Sequence, residues 1–242
     1  MQQKTGKVIC AGLGPGDPDL MSVRSHRLIA NARHIAYFRK AGRQGQARAI
    51  VEGMLAEGVT EHAMEYPVTT EIPLSDPEYN RILAEFYETW ASTLAEIAQS
   101  EEVVVLCEGD PFFYGSYMHL YTRLQGRALQ EIVPGITGMS GCWHASGQPI
   151  TWGDDILTVA MATLSEDELA KRAAETDALV VMKIGRNLPK LRRALERAGR
   201  ADDAWLVERG TMPQQTVQKL SEITGEVPYF SIVLVHGQGR RP

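Results

Sequence analysis

Three glycine-bearing bends, each following a strand-like apolar run, hold the residues of this chain best suited to do chemistry. "GLGPGDPDL" (12–20) follows "KVICA", "EGDPFFYGS" (108–116) follows "VVVLC", and "VPGITGMSG" (133–141) follows "LQEI". Glycine at such a bend admits positive φ or lets a ligand approach the backbone closely, and Gly14 and Gly109 occupy those positions. A phosphate is the usual guest of a strand that opens into glycine, but the first two bends hold no lysine. The first also reads G-x-G-x-G rather than G-x-G-x-x-G, no G-K-[ST] follows, and Pro15 and Pro18 remove two backbone donors. The third bend opens a helix whose first N–H groups are suited to a carboxylate. Taken singly, each is equally what a tight strand-to-helix turn looks like. Three in order on one chain point to a ligand.

The side chains in the second bend admit two readings each. Asp110 either contacts a ligand or braces the turn, which Pro111 stiffens. Phe112, Phe113 and Tyr114 wall an apolar slot. Tyr114 and Tyr117 are candidates for a proton relay or a substrate contact, against the plainer role of core aromatics. No nucleophile triad and no paired carboxylates stand at a useful spacing. The histidines at 26, 34, 62, 119, 144 and 236 lack metal-ligand spacing, so no metal site is expected. Cys10, Cys107 and Cys142 are odd in number, far apart and without C-x-x-C, which suits a reducing cytoplasm. Cys10 and Cys107, inside apolar runs, read as small hydrophobes.

These bends need rigid elements to hold them. Strand candidates are "KVICAGLG" (7–14), "HIAYF" (34–38), "TEHAMEY" (60–66), "VVVLCEG" (103–109) and "LQEIV" (129–133). Further along come "ILTVAMA" (156–162), "ALVVMKI" (178–184), "AWLVER" (204–209) and "YFSIVLVH" (229–236). Helices are expected over 22–32 with Ser22 as N-cap, near 46–57, over 76–100, over 115–124, and near 138–146, 166–175 and 187–199. The 76–100 segment is the clearest: Ile82, Leu83, Phe86, Trp90, Leu94 and Ile97 recur at three and four, after an Asp76-Pro77 start. Continuous apolar strands separated by amphipathic helices imply an α/β architecture with covered sheets. The Pro/Gly content of "VPGITG" (133–138) marks a joint, dividing the chain into 1–133 and 134–242.

Bulk properties narrow the function classes. At 242 residues, 44% hydrophobic and 23% charged, the chain is expected to be a soluble globular protein of one large or two ordinary domains. A formal net charge of −5 argues against nucleic acid as the main partner. The apolar runs fall short of a membrane span, and the opening "MQQKTGKVICAGLG" is not expected to be a signal peptide. The charge is uneven, however. Residues 20–51 carry Arg24, Arg27, Arg33, Arg39, Lys40, Arg43 and Arg48 with no Asp or Glu, either a solvated helix face or a patch that pairs with an anionic ligand.

In order along the chain, the motifs resemble the tetrapyrrole (corrin/porphyrin) methyltransferase family. Its pattern of a strand and G-x-G-P-G-D-P-x-L is matched by 12–20, its G-D-P by Gly109-Asp110-Pro111, and its V-P-G-[IV]-[ST] by 133–137. "LVVMKIG" (179–185) and "ERGTMPQQTV" (208–217), which fits a charged residue followed by G-T-x-x-x-Q, continue the match to the last apolar strand at 229–236. Glu108 stands where the uroporphyrinogen branch has glycine, and Ser116 where it has arginine; both departures count against that branch.

The resemblance implies two α/β domains with mixed sheets and S-adenosylmethionine (SAM) in a cleft between them, leaving as S-adenosylhomocysteine (SAH). The implied cofactor contacts are Gly14, Pro15, Glu108, Gly109, Asp110, Phe113, Tyr114, Thr137, Gly138, Ile184, Gly185, Gly210, Thr211, Met212, Pro213 and Ser231. Phe113, Ile184 and Met212 would be its apolar walls. It further implies a polycarboxylate tetrapyrrole substrate, for which Arg24, Arg27, Arg39 and Lys40 are the candidate partners, and a homodimer. An RNA methyltransferase of the same fold, or a non-catalytic nucleotide-binding module, are the competing classes.

Overall fold

The computed structural model describes residues 6–68 and 76–239. The chain divides into two compact units, Met1–Thr137 and Gly138–Pro242. In the first, strands β1 (Lys7–Gly12), β2 (His34–Lys40), β3 (Thr60–Tyr66), β4 (Val103–Cys107) and β5 (Leu129–Val133) form a sheet in the order β3-β2-β4-β1-β5. Every pairing in it is parallel. Helices α1 (Val23–Ala30), α2 (Gln46–Ile50), α3 (Pro77–Ile97) and α4 (Tyr117–Leu124) connect the strands.

The strands are apolar throughout because both faces are covered. Val8, Cys10, Val103 and Val105 pack toward Phe86 and Leu94 of α3 and Leu120 of α4. Their neighbours Ile9, Ala11, Val104 and Leu106 turn to the other face, against Ile29 of α1 and Ile50 of α2. Leu94 and Leu120 are fully buried, each contributing about 1.5–3 kcal/mol of hydrophobic stabilisation. The helix starts are satisfied locally: Ser22 Oγ accepts from Ser25 N–H at 3.0 Å, and Asp76 Oδ1 from Glu78 N–H at 2.9 Å, with Pro77 in the first turn.

The second unit contains α5 (Gly138–Ala145), β6 (Leu157–Met161), α6 (Glu166–Ala174), β7 (Ala178–Met182), α7 (Leu188–Arg197), β8 (Ala204–Glu208), β9 (Thr216–Lys219) and β10 (Ser231–Val235). Its sheet runs β6-β7-β10-β8-β9. β6 and β7 are parallel, and the other pairings are antiparallel, so mixed strand direction belongs to this sheet. Leu169 of α6 and Leu191 and Leu195 of α7 pack on Leu179, Val181, Leu206 and Val233. Cys142 of α5 packs with Val180, Val207 and Leu234 on the opposite face.

Two expectations are corrected. The helix near 46–57 ends at Ile50, with Gly53 and Gly58 in left-handed turns beyond it. No strand is expected between 209 and 229, yet the 208–217 segment runs into the strand β9, whose four mostly polar residues on the rim of the sheet carry too little apolar period to reveal themselves. Among the described residues, no helix is long and apolar enough to cross a membrane.

Candidate functional site

β1 and β4 lie side by side, yet their onward connections leave in opposite directions: β1 leads through α1 toward β2, and β4 through α4 to β5 on the far side of β1. In an open α/β sheet, the crevice beyond the carboxyl ends of two such strands is where ligands bind. The glycine bends occupy it, and they touch one another. Leu13 N–H donates to Cys107 C=O at 2.9 Å, and Gly109 N–H to Gly14 C=O at 2.8 Å, so the two bends extend their strands as a small antiparallel bridge. Gly14 and Gly109 both have left-handed φ, +82° and +65°.

The third bend is packed against this pair backbone to backbone. A Cβ on Gly12 would sit 2.6 Å from Gly135 N, and one on Gly135 would sit 2.1 Å from Gly109 O. Asp110 joins the second bend to the third: its Oδ1 accepts from Phe112 N–H at 2.9 Å and its Oδ2 from Gly135 N–H at 3.1 Å. Of its two possible roles, this geometry supplies the brace. Ser25 Oγ of α1 donates to Gly12 C=O at 2.9 Å and anchors the first bend from below. Gly14 and Pro15 are buried in this cluster, while Glu108 has exposed surface but a crowded carboxyl: burial pushes it up to about 7, and the Ala47 N–H beside it draws it down.

The aromatic residues separate. Phe113 and Tyr114 pack edge to face, ring centroids 4.9 Å apart, and Tyr114 holds a left-handed φ of +56° while 47% exposed. Tyr117 is fully buried in the core of the first unit, its hydroxyl donating to Gln130 Oε1 at 3.0 Å, and burial pushes its pKa up. Of the two readings of Tyr117, its burial supports the core aromatic.

In the second unit the predicted residues gather along one edge of the sheet. β7 and β8 both run antiparallel to β10, so their carboxyl ends lie together with the start of β10 at Ser231. β7 runs out into Lys183 (φ +56°), Ile184 and Gly185 (φ +39°), and β8 into Arg209 (φ +49°), Gly210 and Thr211 (φ +69°). These three and Tyr114 are the only non-glycine residues with positive φ among the described residues. Backbone strain of this kind persists where the surroundings over-determine it, and it concentrates at ligand sites. Arg209 N–H donates to Phe230 C=O at 2.7 Å. Gly210 lies against Cys142; burial pushes that thiol up to about 12, and the Gly210 backbone beside it draws it down. Met212 is half-buried and Pro213 exposed. Ser231 is buried with its hydroxyl donated to Pro228 C=O at 2.7 Å. Ile184 does not form an apolar wall as expected: its side chain is wholly within the core. Thr137 and Gly138 are half-buried, and a Cβ on Gly138 or Gly185 would meet nothing within 4 Å.

The basic segment is partly neutralised. Arg24 pairs with Glu131, Arg39 with Glu65 at 3.0 Å, Arg33 with Glu101 at 3.3 Å and Arg48 with Glu61 at 2.9 Å. Carboxylates distant in sequence thus meet a stretch that has none of its own. Arg27 and Lys40 are exposed and form no ion pair among the described residues. Sequence reasoning passed over Lys183, Arg209 and Gln215. The G-T-x-x-x-Q spacing was the available signal for Gln215, whose side chain closes the 209–215 turn.

The family model described as Tetrapyrrole (Corrin/Porphyrin) Methylases matches residues 7–224. The chain is 50% identical over 239 residues, 98% of both chains, to a precorrin-2 C(20)-methyltransferase from Sinorhizobium sp. It is 27% identical to a cobalt-precorrin-2 C(20)-methyltransferase from Salmonella typhimurium, covering 96% of this chain and 97% of that one. Among solved structures, the uroporphyrin-III C-methyl transferase from Thermus thermophilus complexed with S-adenyl homocysteine superposes with a TM-score of 0.67 at 20% identity, covering 96% of this chain and 92% of that one.

Proposed function

Because the chain belongs to the tetrapyrrole (corrin/porphyrin) methylase family, we propose that it transfers a methyl group from SAM to C-20 of precorrin-2, yielding precorrin-3A in cobalamin biosynthesis. The observation that carries this reading is the 50% identity, over 98% of both chains, to a protein of that name. The lower identity to the cobalt-precorrin-2 enzyme favours the metal-free substrate over the cobalt-loaded one.

The residues present fit the cofactor. SAM, when bound, supplies a methyl group on a positively charged sulfur. The first unit offers it backbone groups of two hydrogen-bonded glycine bends without a lysine, which suits a cationic sulfonium better than a phosphate. Gly14, Gly109 and Asp110 hold that edge in one shape, Glu108 adds a carboxyl that burial pushes up to about 7, and Phe113 and Tyr114 supply an apolar wall. Gly185 and the 210–213 turn are the corresponding contacts of the second unit. With a donor already activated and an electron-rich acceptor carbon, positioning is the main task, worth roughly 7–11 kcal/mol in favourable cases. Arg27 and Lys40 are exposed cations available to substrate carboxylates, and Tyr114 is an exposed aromatic of the second bend. Arg24 and Arg39 already have carboxylate partners.

We place the enzyme in the cytoplasm as a homodimer. The apolar face of α3 is not available to a partner, because Phe86, Tyr87, Ala91 and Leu94 are buried in the first unit. Light scattering that returns a monomer near 26.8 kDa overturns the dimer.

Calorimetry with SAH in the presence of a chelator tests the cofactor assignment: a binding heat is expected, and at 100 times Kd a stabilisation of about 2.7 kcal/mol. Absence of both refutes it. Incubation with SAM and precorrin-2, followed by NMR location of the new methyl, tests the reaction; a methyl on another carbon leaves the family intact and replaces the branch.

A further inference from the structure

Gln215 is exposed, yet its side-chain oxygen accepts a 2.6 Å hydrogen bond from Thr211 N–H. The geometry points to Gln215 as a positioning residue that holds the 209–213 turn in its ligand-ready shape; this rests on the reading of 210–213 as part of the cofactor site.

The turn needs such a hold. Thr211 is β-branched and has φ +69°, a conformation in which its Cβ crowds the backbone, and Arg209 two residues earlier has φ +49°. Nothing in the local sequence favours that shape, so it must be imposed from outside. One bond lies inside the turn, Met212 N–H to Arg209 C=O at 2.9 Å, and three constraints reach it from outside. Arg209 N–H is tied to Phe230 C=O at 2.7 Å, next to the start of β10. Gly210 lies flat on α5, where a Cβ would come within 2.7 Å of Cys142 Sγ. Gln215 then closes the loop from the other side, through its Oε1 and through its own N–H, which donates to Met212 C=O at 3.0 Å.

The side-chain bond sets the direction of a peptide. In a planar trans peptide, N–H and C=O point opposite ways. With Thr211 N–H drawn toward Gln215, the carbonyl of Gly210 is turned away from that side chain. That carbonyl is thereby presented as an acceptor on the other side of the turn. Without Gln215, rotation of the 210–211 peptide lets Thr211 relax toward negative φ and swings that carbonyl out of place. The fold need not change, because Gln215 contributes nothing to the buried core of the second unit.

The test is a pair of substitutions that differ only in accepting power. Gln215→Leu keeps bulk and removes the acceptor; Gln215→Glu keeps an acceptor at the same reach. Gln215→Leu should weaken SAH binding at least tenfold by calorimetry and raise KM for SAM, with kcat within about twofold and the thermal midpoint within a few degrees. Gln215→Glu should stay within about threefold of wild-type affinity. Wild-type affinity in Gln215→Leu overturns the proposal. So does a Gln215→Glu protein as weak as the leucine variant, or a loss of affinity matched by a large fall in midpoint, which would make the residue merely structural. Wild-type protein that binds no SAH would instead refute the cofactor assignment, leaving the two failures distinguishable.

Discussion

The two units shape the edges that carry their candidate site residues by different means. In the first, glycine does most of the work: Gly12, Gly14, Gly109 and Gly135 let three bends lie backbone on backbone, with Asp110 joining two of them and Tyr114 the one side-chain-bearing residue at positive φ among the described residues. In the second, Lys183, Arg209 and Thr211 are side-chain-bearing residues held in left-handed conformations by neighbours. A glycine edge costs little strain but relies on contact too close for any Cβ. A strained edge tolerates side chains but relies on each hydrogen bond that holds it. The first should therefore fail through steric substitution, the second through loss of a single acceptor.

The largest effect is expected at Gly135. In Gly135→Ala the new methyl group meets Gly109 O at 2.1 Å, and the third bend must lift off the other two. A destabilisation of about 3 kcal/mol by urea titration is expected from such overpacking, with weakened SAH binding. A near-neutral result would mean the bends are not rigidly packed and would erase the contrast between the units.

Gly109→Val comes next, with most of its effect on ligand rather than fold. The left-handed φ of +65° costs about 1–2 kcal/mol when a β-branched residue replaces glycine. SAH binding should be lost in the surviving folded protein. Unchanged affinity beside a lowered midpoint would reduce this bend to a turn.

Asp110→Asn sharpens the comparison further. The amide has one acceptor oxygen where the carboxylate has two, so one of the bonds to Phe112 N–H and Gly135 N–H is lost, at about 1–2 kcal/mol. A fall in stability with a smaller fall in affinity identifies a brace. Full stability with abolished SAH binding would identify a cofactor contact.

The smallest effect lies at the opposite edge of the first sheet, where His34 Nδ1 and His62 Nε2 are 3.1 Å apart. Burial first, and then the neighbouring His34, hold His62 below the usual imidazole range. A base with a lowered folded-state pKa takes up its proton more readily when unfolded. Stability from this group is thus complete above about pH 6.5 and declines as pH falls below it. His62→Gln should flatten that part of the midpoint-against-pH curve and leave SAH affinity unchanged. A changed affinity would show that the two edges of the sheet are coupled.

Much of this was legible in sequence for a definite reason. A residue's own backbone preference and its apolar period are local properties, so α3, the buried strands and the glycine bends declared themselves. Strain is not local. Nothing about Arg209 or Thr211 as residue types announces a positive φ, because the cause lies in Phe230, Cys142 and Gln215. Tyr117 shows the same limit, since an aromatic just after a bend reads alike whether it faces ligand or core. The basic stretch 20–51 misled more plainly: its isolation from carboxylates held only along the chain, and Glu65, Glu101 and Glu131 arrive from other strands and loops.

By itself the sequence determined the α/β class, the three glycine bends and the family whose motifs they match, because each depends on residues close together along the chain. Only the tertiary structure decided that the bends bear on one another, that Asp110 joins two of them, and that a glutamine on the rim shapes the turn beside it. Those outcomes depend on which strand ends the sheet order brings side by side, and that order is set by packing between residues a hundred positions apart.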